Sequence, residues 1–327
     1  VWSLPELEAQ LSSDNSGALE SKSWTECAQE KDATDSAEII SRHKITEIDW
    51  LIIDSYHFDA IWQNEFLRNI AKASINKKLP RIMVIDDLAN RKHRADIILD
   101  QNTFGRDTQN RYNDLIPASC VKLLGPEFCL LGDEYRVLHG LIPARSEVQR
   151  ILIYFGGSDN EGYTLHTLNA LGSPSLAHLT VDVVVGHNNV NYSRIVEHVS
   201  DRSRVNLYKP LPSLAGLIAR ADLSIGAGGS TTWERACLGL PSIVFISGEN
   251  QRGFSEYLSS EGTSIVVKDS EIGNADMLVQ TILEIERNTS TLKSMSSSAA
   301  SLVDGKGASR VVMALLDGYG GLGHPAF

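Results

Sequence analysis

Short runs of aliphatic and β-branched residues, bounded by Gly, Asp or Pro and with stretches of helical period recurring between them, constrain this chain more than any other feature. The runs at residues 50–53, 82–85, 97–99, 151–155, 181–185, 223–225, 243–246 and 265–267 are apolar apart from Asp182 and Ser224, and each reads as a buried strand. Helical patterns lie at about 59–73, 160–171, 213–221, 231–238, 251–260, 275–287, 289–302 and 307–316. Parallel strands need crossover connections, and helices are the usual ones. The expected fold class is therefore α/β, with doubly wound parallel sheets.

A chain of 327 residues exceeds what one hydrophobic core usually serves, so two domains are expected. Residues 136–150 carry a proline and mixed charge without period, just before the strand that opens a second α/β series, and are read as the linker. This gives domains at 1–140 and 141–318 and a flexible tail at 319–327. The chain opens on Val1, and residues 12–37 are polar, acidic and Ser-rich, so the first domain is expected to be incomplete at its N-terminus.

The formal charge of -11 argues against nucleic acid or anionic lipid as partner, and leaves any bound phosphate to backbone dipoles or a few cations. No apolar run approaches the ~18 residues of a membrane span and nothing suggests a signal peptide, so a cytoplasmic protein with no membrane segment is expected. Cys27, Cys120, Cys129 and Cys237 have no CxxC spacing and read as reduced, partly buried thiols.

Ligands of open α/β sheets sit at the carboxyl ends of the strands. Here those ends read Asp54-Ser55-Tyr56, Asp86-Asp87, Asp100-Gln101-Asn102, Gly156-Gly157-Ser158-Asp159 and Gly226 onward. Adjacent Asp86 and Asp87 point apart and no histidine stands at ligand spacing, so no metal is assigned. The run 91–94 reads as a solvated face answering Asp86, Asp87 and Asp96.

The turn Gly226-Ala-Gly-Gly-Ser-Thr-Thr232 is the densest signal. Its glycines can take φ > 0 and let a ligand approach the backbone, while the helix starting near Thr231 offers free N–H groups to a phosphate. A purely structural alternative is a capping box, with Thr231 as N-cap, Glu234 at N3 and Gly239-Leu240-Pro241 ending the helix. A nicotinamide-type fingerprint fits Gly226 and Gly228, with Glu249 at the ribose distance, but lacks its third glycine at Thr231.

Taken in order, "LIIDSYHFD" (51–59), "VIDDLANRKHRADIILDQN" (84–102), "LLGPEFCLL" (123–131), "YFGGSDNEGYT" (154–164), "GAGGSTTWERACLGLPSIVF" (226–245), "ENQ" (249–251) and "DGKGASRV" (304–311) resemble the UDP-2,4-diacetamido-2,4,6-trideoxy-β-L-altropyranose hydrolases of pseudaminic acid biosynthesis, from about residue 45 to 315. The resemblance implies a GT-B-like fold of two Rossmann-like domains facing across a cleft, related to the UDP-N-acetylglucosamine transferases of peptidoglycan synthesis. It also implies a UDP-sugar substrate, with no cofactor. On that basis Gly228, Gly229, Ser230 and Thr231 hold the diphosphate, with Gly156, Gly157 and Ser158 opposite, and Glu234 reaches the ribose. Asn250 and Gln251 address the acetamido groups, and Asp54 and Tyr56 serve the sugar side, with Tyr56 and Asn250 the candidate catalytic groups. Ser55 and Asp59 stand beside them, and His57 reads as a bystander. The implied reaction is inverting attack of water at the anomeric carbon with loss of UDP.

The base expected in that family is a histidine in an N-terminal Gly-His-x-x-Arg loop, which this sequence lacks; the C-terminal Gly323-His324 has no following arginine. Two alternatives therefore stand beside hydrolysis: a GT-B glycosyltransferase, and a non-catalytic UDP-sugar binder.

Overall fold

The structure, a computed structural model, describes residues 25–45, 47–73 and 78–317. The expected incomplete start of the first domain and the tail with His324 lie outside the described residues. The chain divides into two compact units, the first reaching Leu124 and the second running from Gly125 and taking in Thr103–Gly105.

The first unit holds helix α1 (Glu26–Arg42), β1 (Trp50–Asp54), α2 (Ala60–Ala73), β2 (Arg81–Ile85), β3 (Ile97–Asp100) and β4 (Val121–Leu124). Its four strands are parallel in the order β1-β2-β3-β4, with Leu51 opposite Ile82, Met83 opposite Ile97 and Leu99 opposite Leu123. Ile53, Ile82, Val84, Ile98 and Leu124 pack with Trp62, Phe66, Leu67 and Ile70 of α2. Trp62 stacks between Phe58 and Phe66 at 4.6 and 5.1 Å and donates its indole N–H to Asp32 of α1 at 2.8 Å, which satisfies the one polar atom of a large buried ring. Asp59 caps α2 by accepting from the Ile61 N–H at 2.7 Å.

The second unit carries α3 (Asp133–Leu138), β5 (Arg150–Tyr154), α4 (Tyr163–Ala170), β6 (Thr180–Val184), α5 (Tyr192–Val199), β7 (Val205–Tyr208), α6 (Ala215–Arg220), β8 (Leu223–Ala227), α7 (Thr231–Cys237), β9 (Ser242–Phe245), α8 (Glu249–Ser260), β10 (Ser264–Val267), α9 (Ala275–Arg287), α10 (Thr289–Leu302) and α11 (Gly307–Asp317). Its six parallel strands run β10-β9-β8-β5-β6-β7. Side chains alternate between two cores. Ile151, Ile153, Val181, Val183, Ile225 and Ile243 enter one with α4 and α9, while Leu152 and Val184 enter the other with Ile218, Trp233, Phe254 and Leu258.

Residues 136–150, where the sequence suggested a linker, pack within the second unit. Tyr135 and Leu138 of α3 join the core around Trp233, and buried Arg145 donates to the carbonyls of Ile218 (2.9 Å), Ala221 (3.2 Å) and Leu238. These carbonyls end α6 and α7, where a cation answers both the orphan acceptors and the negative end of each helix. Asp182, fully buried on β6, is met by Arg150, Arg220 and Asn206 at 2.8 to 3.2 Å. Of the cysteines, Cys120, Cys129 and Cys237 are buried free thiols, and Cys27 is exposed rather than partly buried.

Truncating Arg145 leaves three buried carbonyls without a donor. Arg145→Met is expected to destabilise the protein by about 3 kcal/mol, read as a lower urea midpoint with an unchanged slope.

Candidate functional site

The strand order of the second unit reverses between β5 and β8: from β5 the chain winds outward through β6 and β7, then returns to β8 and winds the other way. That reversal opens a crevice at the carboxyl ends of the two strands, the usual ligand position of a doubly wound sheet. Tyr154 at the end of β5 lies opposite Gly226 of β8, so the loops that follow, Gly156-Gly157-Ser158 and Gly228-Gly229-Ser230, both emerge there. The N–H groups of Gly156, Gly157, Ser158, Gly229 and Ser230 have no acceptor among the described residues.

The glycines are required for reasons the sequence did not distinguish. Only Gly156 has positive φ, at 87°; Gly226, Gly228 and Gly229 do not. A Cβ on Gly226 would stand 2.3 Å from the Tyr154 carbonyl oxygen, and one on Gly228 would stand 2.6 Å from Ser255 Oγ and 3.2 Å from Val244 Cγ1. Gly229 has nothing nearer than Gln251 Nε2 at 3.9 Å, so of these three glycines it alone leaves its outer side open, as Gly156 and Gly157 do in the other loop.

The capping box does not form. Ser230, not Thr231, occupies the cap position of α7 and makes no side-chain capping bond. The Thr231 hydroxyl accepts from Arg235 at 3.1 Å instead. Glu234 is largely buried, its Oε2 has no hydrogen-bond partner among the described residues, and burial raises its pKa. Beside it the Tyr135 phenol is pushed above its usual range by burial and by the Glu234 charge.

Neighbouring segments brace the crevice. Asp159 adopts φ of 47° and accepts from the N–H groups of Tyr163 (2.8 Å) and Thr164 (3.0 Å) and from Asn189 (3.3 Å), which fixes the β5 loop to the start of α4 and to the β6 loop. Gly186 comes so close to the Gly157 carbonyl that a Cβ there would lie 2.2 Å away. Gln251 on α8 is anchored by the Ser247 N–H and hydroxyl, both at 3.1 Å, with its amide nitrogen beside Gly229. Asn250 stands one residue earlier in the first turn of α8, half-buried against Gly248.

Asp54, Tyr56 and Asp87 lie in the first unit, also at strand carboxyl ends. Tyr56 is about half exposed at 48% and donates to Asp87 Oδ2 at 3.3 Å. Burial and the nearby carboxylates raise its pKa well above the ordinary phenol value, so it serves as a donor and not as a base. His57 is exposed, and Ser55 Oγ accepts from its N–H at 3.2 Å. Behind them Tyr112, fully buried, reaches Asp86 (3.0 Å) and Asp100 (3.1 Å). Arg111 pairs with Asp100, and Arg91 pairs with Asp86 at 2.7 Å. The run 91–94 is thus not a solvated face: Arg91 is largely buried, and His93 is 3% exposed with Nδ1 accepting from Gln63 at 3.1 Å. No three or more metal-ligating side chains converge among the described residues.

Residues 160–311 match the glycosyltransferase family 28 C-terminal domain. The match covers most of the second unit, including α7 and the loop before it. The spore coat polysaccharide biosynthesis protein SpsG of Bacillus subtilis (strain 168) is 24% identical over 196 residues, 60% of this chain and 58% of that protein, so the chain spans little more than half of that relative's length. Among solved structures, MurG of Acinetobacter baumannii superposes with TM-score 0.55 at 12% identity, covering 89% of this chain and 79% of that one. The UDP-GlcNAc 2-epimerase of Neisseria meningitidis, bound to UDP-GlcNAc, gives TM-score 0.59 at 13% identity, covering 90% and 83%. Two Rossmann-like parallel-sheet units of this kind make the fold GT-B-like. No helix among the described residues is long and apolar enough to cross a membrane.

Sequence reading missed Arg235, Ser255 and the Gly186–Asn189 loop. Arg235 and Ser255 sit on helix faces where apolar periodicity assigns core, and only their buried polar ends mark them out.

The first unit's buried cluster should shape its response to pH. Burial lowers His93 from 6.5 to about 4, so the unfolded chain binds more protons between those values and this stability is lost as pH falls through about 4. Burial, opposed by Arg111, raises Asp100 from 3.8 to about 6; the folded state then holds the extra proton, and its stability is lost as pH rises through about 6. The two slopes oppose each other. Relative to the native chain, His93→Gln should lose stability on going from pH 4 to 6 and Asp100→Asn should gain it, measured by urea unfolding at half-unit pH steps.

Proposed function

We propose that this chain is a UDP-sugar-dependent enzyme of the glycosyltransferase type, holding UDP at the crevice between β5 and β8 and passing the sugar to an acceptor oxygen. The observation that carries this reading is the meeting of two glycine loops, with five N–H groups lacking acceptors, at the reversal point of the sheet. The family 28 match around the second loop supports it, as does the UDP-GlcNAc ligand of the epimerase that shares the fold. In an acidic chain, backbone amides bind a diphosphate without added lysines.

In this reading Gly228, Gly229, Ser230 and Thr231 receive the diphosphate and Gly156, Gly157 and Ser158 face it, with Glu234 at the ribose. Gln251, already beside Gly229, and Asn250 address the sugar's amide substituents. The anomeric C–O bond breaks with its electron pair on the β-phosphate oxygen, while the acceptor oxygen bonds to the anomeric carbon and loses its proton to a base or to solvent. The loop N–H groups stabilise the charge that grows on UDP.

A second reading makes water the acceptor, giving hydrolysis of a UDP-2,4-diacetamido-2,4,6-trideoxy sugar. The ordered set of motifs from residue 51 to 311 favours it. The comparisons favour the transferase.

A proton and phosphorus NMR time course with UDP-GlcNAc and with the UDP-diacetamido sugar separates the two. UDP and free sugar appearing without an added acceptor establish the hydrolase, whereas cleavage that waits for a glycan acceptor establishes the transferase. Absence of UDP binding overturns both. Because Gly229 has open space beside it, Gly229→Ala should leave the melting temperature unchanged and weaken UDP binding roughly tenfold.

A further inference from the structure

Three buried polar atoms have no partner among the described residues in this part of the unit: Arg235 Nε and Ser255 Oγ at the second glycine loop, and Glu234 Oε2 on the adjoining α7. Buried polar groups are normally satisfied, so such a cluster asks for an explanation. Arg235 is the most demanding of the three. It is 2% exposed, and its guanidinium donates to the Ala227 carbonyl (3.0 Å) and to the hydroxyls of Thr231 (3.1 Å) and Thr232 (3.1 Å). All three acceptors are neutral, and no carboxylate among the described residues comes within ion-pair distance.

Arg145 in the same unit shows the contrast. It is also a buried cation without a carboxylate bond, but its three acceptors are carbonyls closing α6 and α7, which carry the negative ends of helix dipoles. Arg235 has one carbonyl and two hydroxyls. A buried charge costs several kcal/mol unless it is compensated. Among the described residues the carboxylate whose charge acts on it is Glu234, which makes no ion pair with it and whose own ionisation burial opposes.

The position of the guanidinium supplies the missing partner. A Cβ on Gly226 would stand 3.2 Å from Arg235 Nη1, so the positive charge lies directly beneath the loop. Bonds to three points of that loop hold it at fixed depth, and it cannot swing out to solvent. Burial lowers its pKa to about 10, which leaves it protonated at neutral pH.

We propose that Arg235 is the buried counter-charge of a diphosphate bound on the Gly226–Thr232 loop, acting through the loop and not by contact. This rests on the UDP-sugar reading above and deepens it. The anion completes the compensation of Arg235, and Arg235 gives an acidic protein a local positive field where the loop amides alone would carry only partial charges. It is a positioning residue: the same three bonds that anchor the charge also set the loop's shape.

The test compares the full-length native chain with Arg235→Met and Arg235→Lys, titrated calorimetrically with UDP, uridine and inorganic pyrophosphate. Arg235→Met should weaken UDP and pyrophosphate by roughly 10- to 100-fold and uridine by less than about twofold, and Arg235→Lys should recover most of the loss. Equal losses for uridine and UDP, or unchanged pyrophosphate binding, would overturn the assignment. Should Arg235→Met fail to melt cooperatively, nitrogen-15 spectra of arginine Nε–H groups in the native chain decide. A buried Nε–H that shifts with pyrophosphate, not with uridine, and is missing in Arg235→Lys, supports the counter-charge, and no such signal removes it. If pyrophosphate binding depends on Arg235 while UDP binds no tighter than pyrophosphate, the counter-charge stands and the uridine reading falls. If the native chain binds neither, both fall.

Discussion

The approach of Gly226 to the Tyr154 carbonyl governs the architecture of the second unit. At that point β5 and β8 lie side by side although more than 70 residues separate them, and the backbones pass so closely that no side chain fits. The strands on either side are buried on both faces, so their polar backbone groups are spent in the ladder. Only the carboxyl ends are left to offer N–H groups. The winding reversal brings two such ends together, and the glycine sequence keeps both accessible. The free N–H groups here follow from topology first and from side chains second.

Charge is handled inside this acidic chain by a few arginines in well-defined surroundings. Asp182 is buried in the sheet and needs Arg150, Arg220 and Asn206 around it. Arg145 spans the ends of two helices, and Arg91 and Arg111 answer Asp86 and Asp100 in the first unit. Each of these ions finds opposite charge or helix-end carbonyls nearby, which is the condition under which buried charge is tolerated. Arg235 departs from that rule, and it does so beneath the loop where a ligand's phosphates would sit.

The sheets were readable from the sequence wherever strands were buried on both faces. Residues 82–85, 151–155 and 243–246 are continuous apolar runs, and the structure places them in strands. Of the four edge strands, β1 and β10 offered apolar runs and β4 and β7 did not: β4 has exposed Val121 and half-buried Lys122, and β7 alternates Asn206 with partly buried neighbours. α1 escaped because its inner face includes Gln29 and Asp32, which are satisfied by Asp59 and Trp62 across 30 residues of sequence. α5 is eight residues long and amphipathic, too brief for a periodic signal to stand out. The glycine loops were legible as open turns at strand ends, but the reason for each glycine was not. Close approach and left-handed φ look alike in one dimension, and only the neighbouring strand tells them apart.

The chemistry of the first unit is bounded by its electrostatics. Tyr56, beside Asp87 and near Asp54 and Asp86, is surrounded by negative charge that resists its ionisation. A phenol held neutral in this way can donate to an oxygen carrying developing charge or orient a water, but it cannot take a proton from one. Deprotonation of an acceptor therefore falls to another group. The carboxylate that Tyr56 meets directly is Asp87, which accepts from its hydroxyl at 3.3 Å. A transferase whose acceptor hydroxyl loses its proton late, after the C–O bond to UDP has largely broken, needs only a weak base of that kind. A hydrolase must activate a water and places a stronger demand on it. The neutral phenol in its ring of carboxylates thus confines this strand end of the first unit to donating and orienting roles.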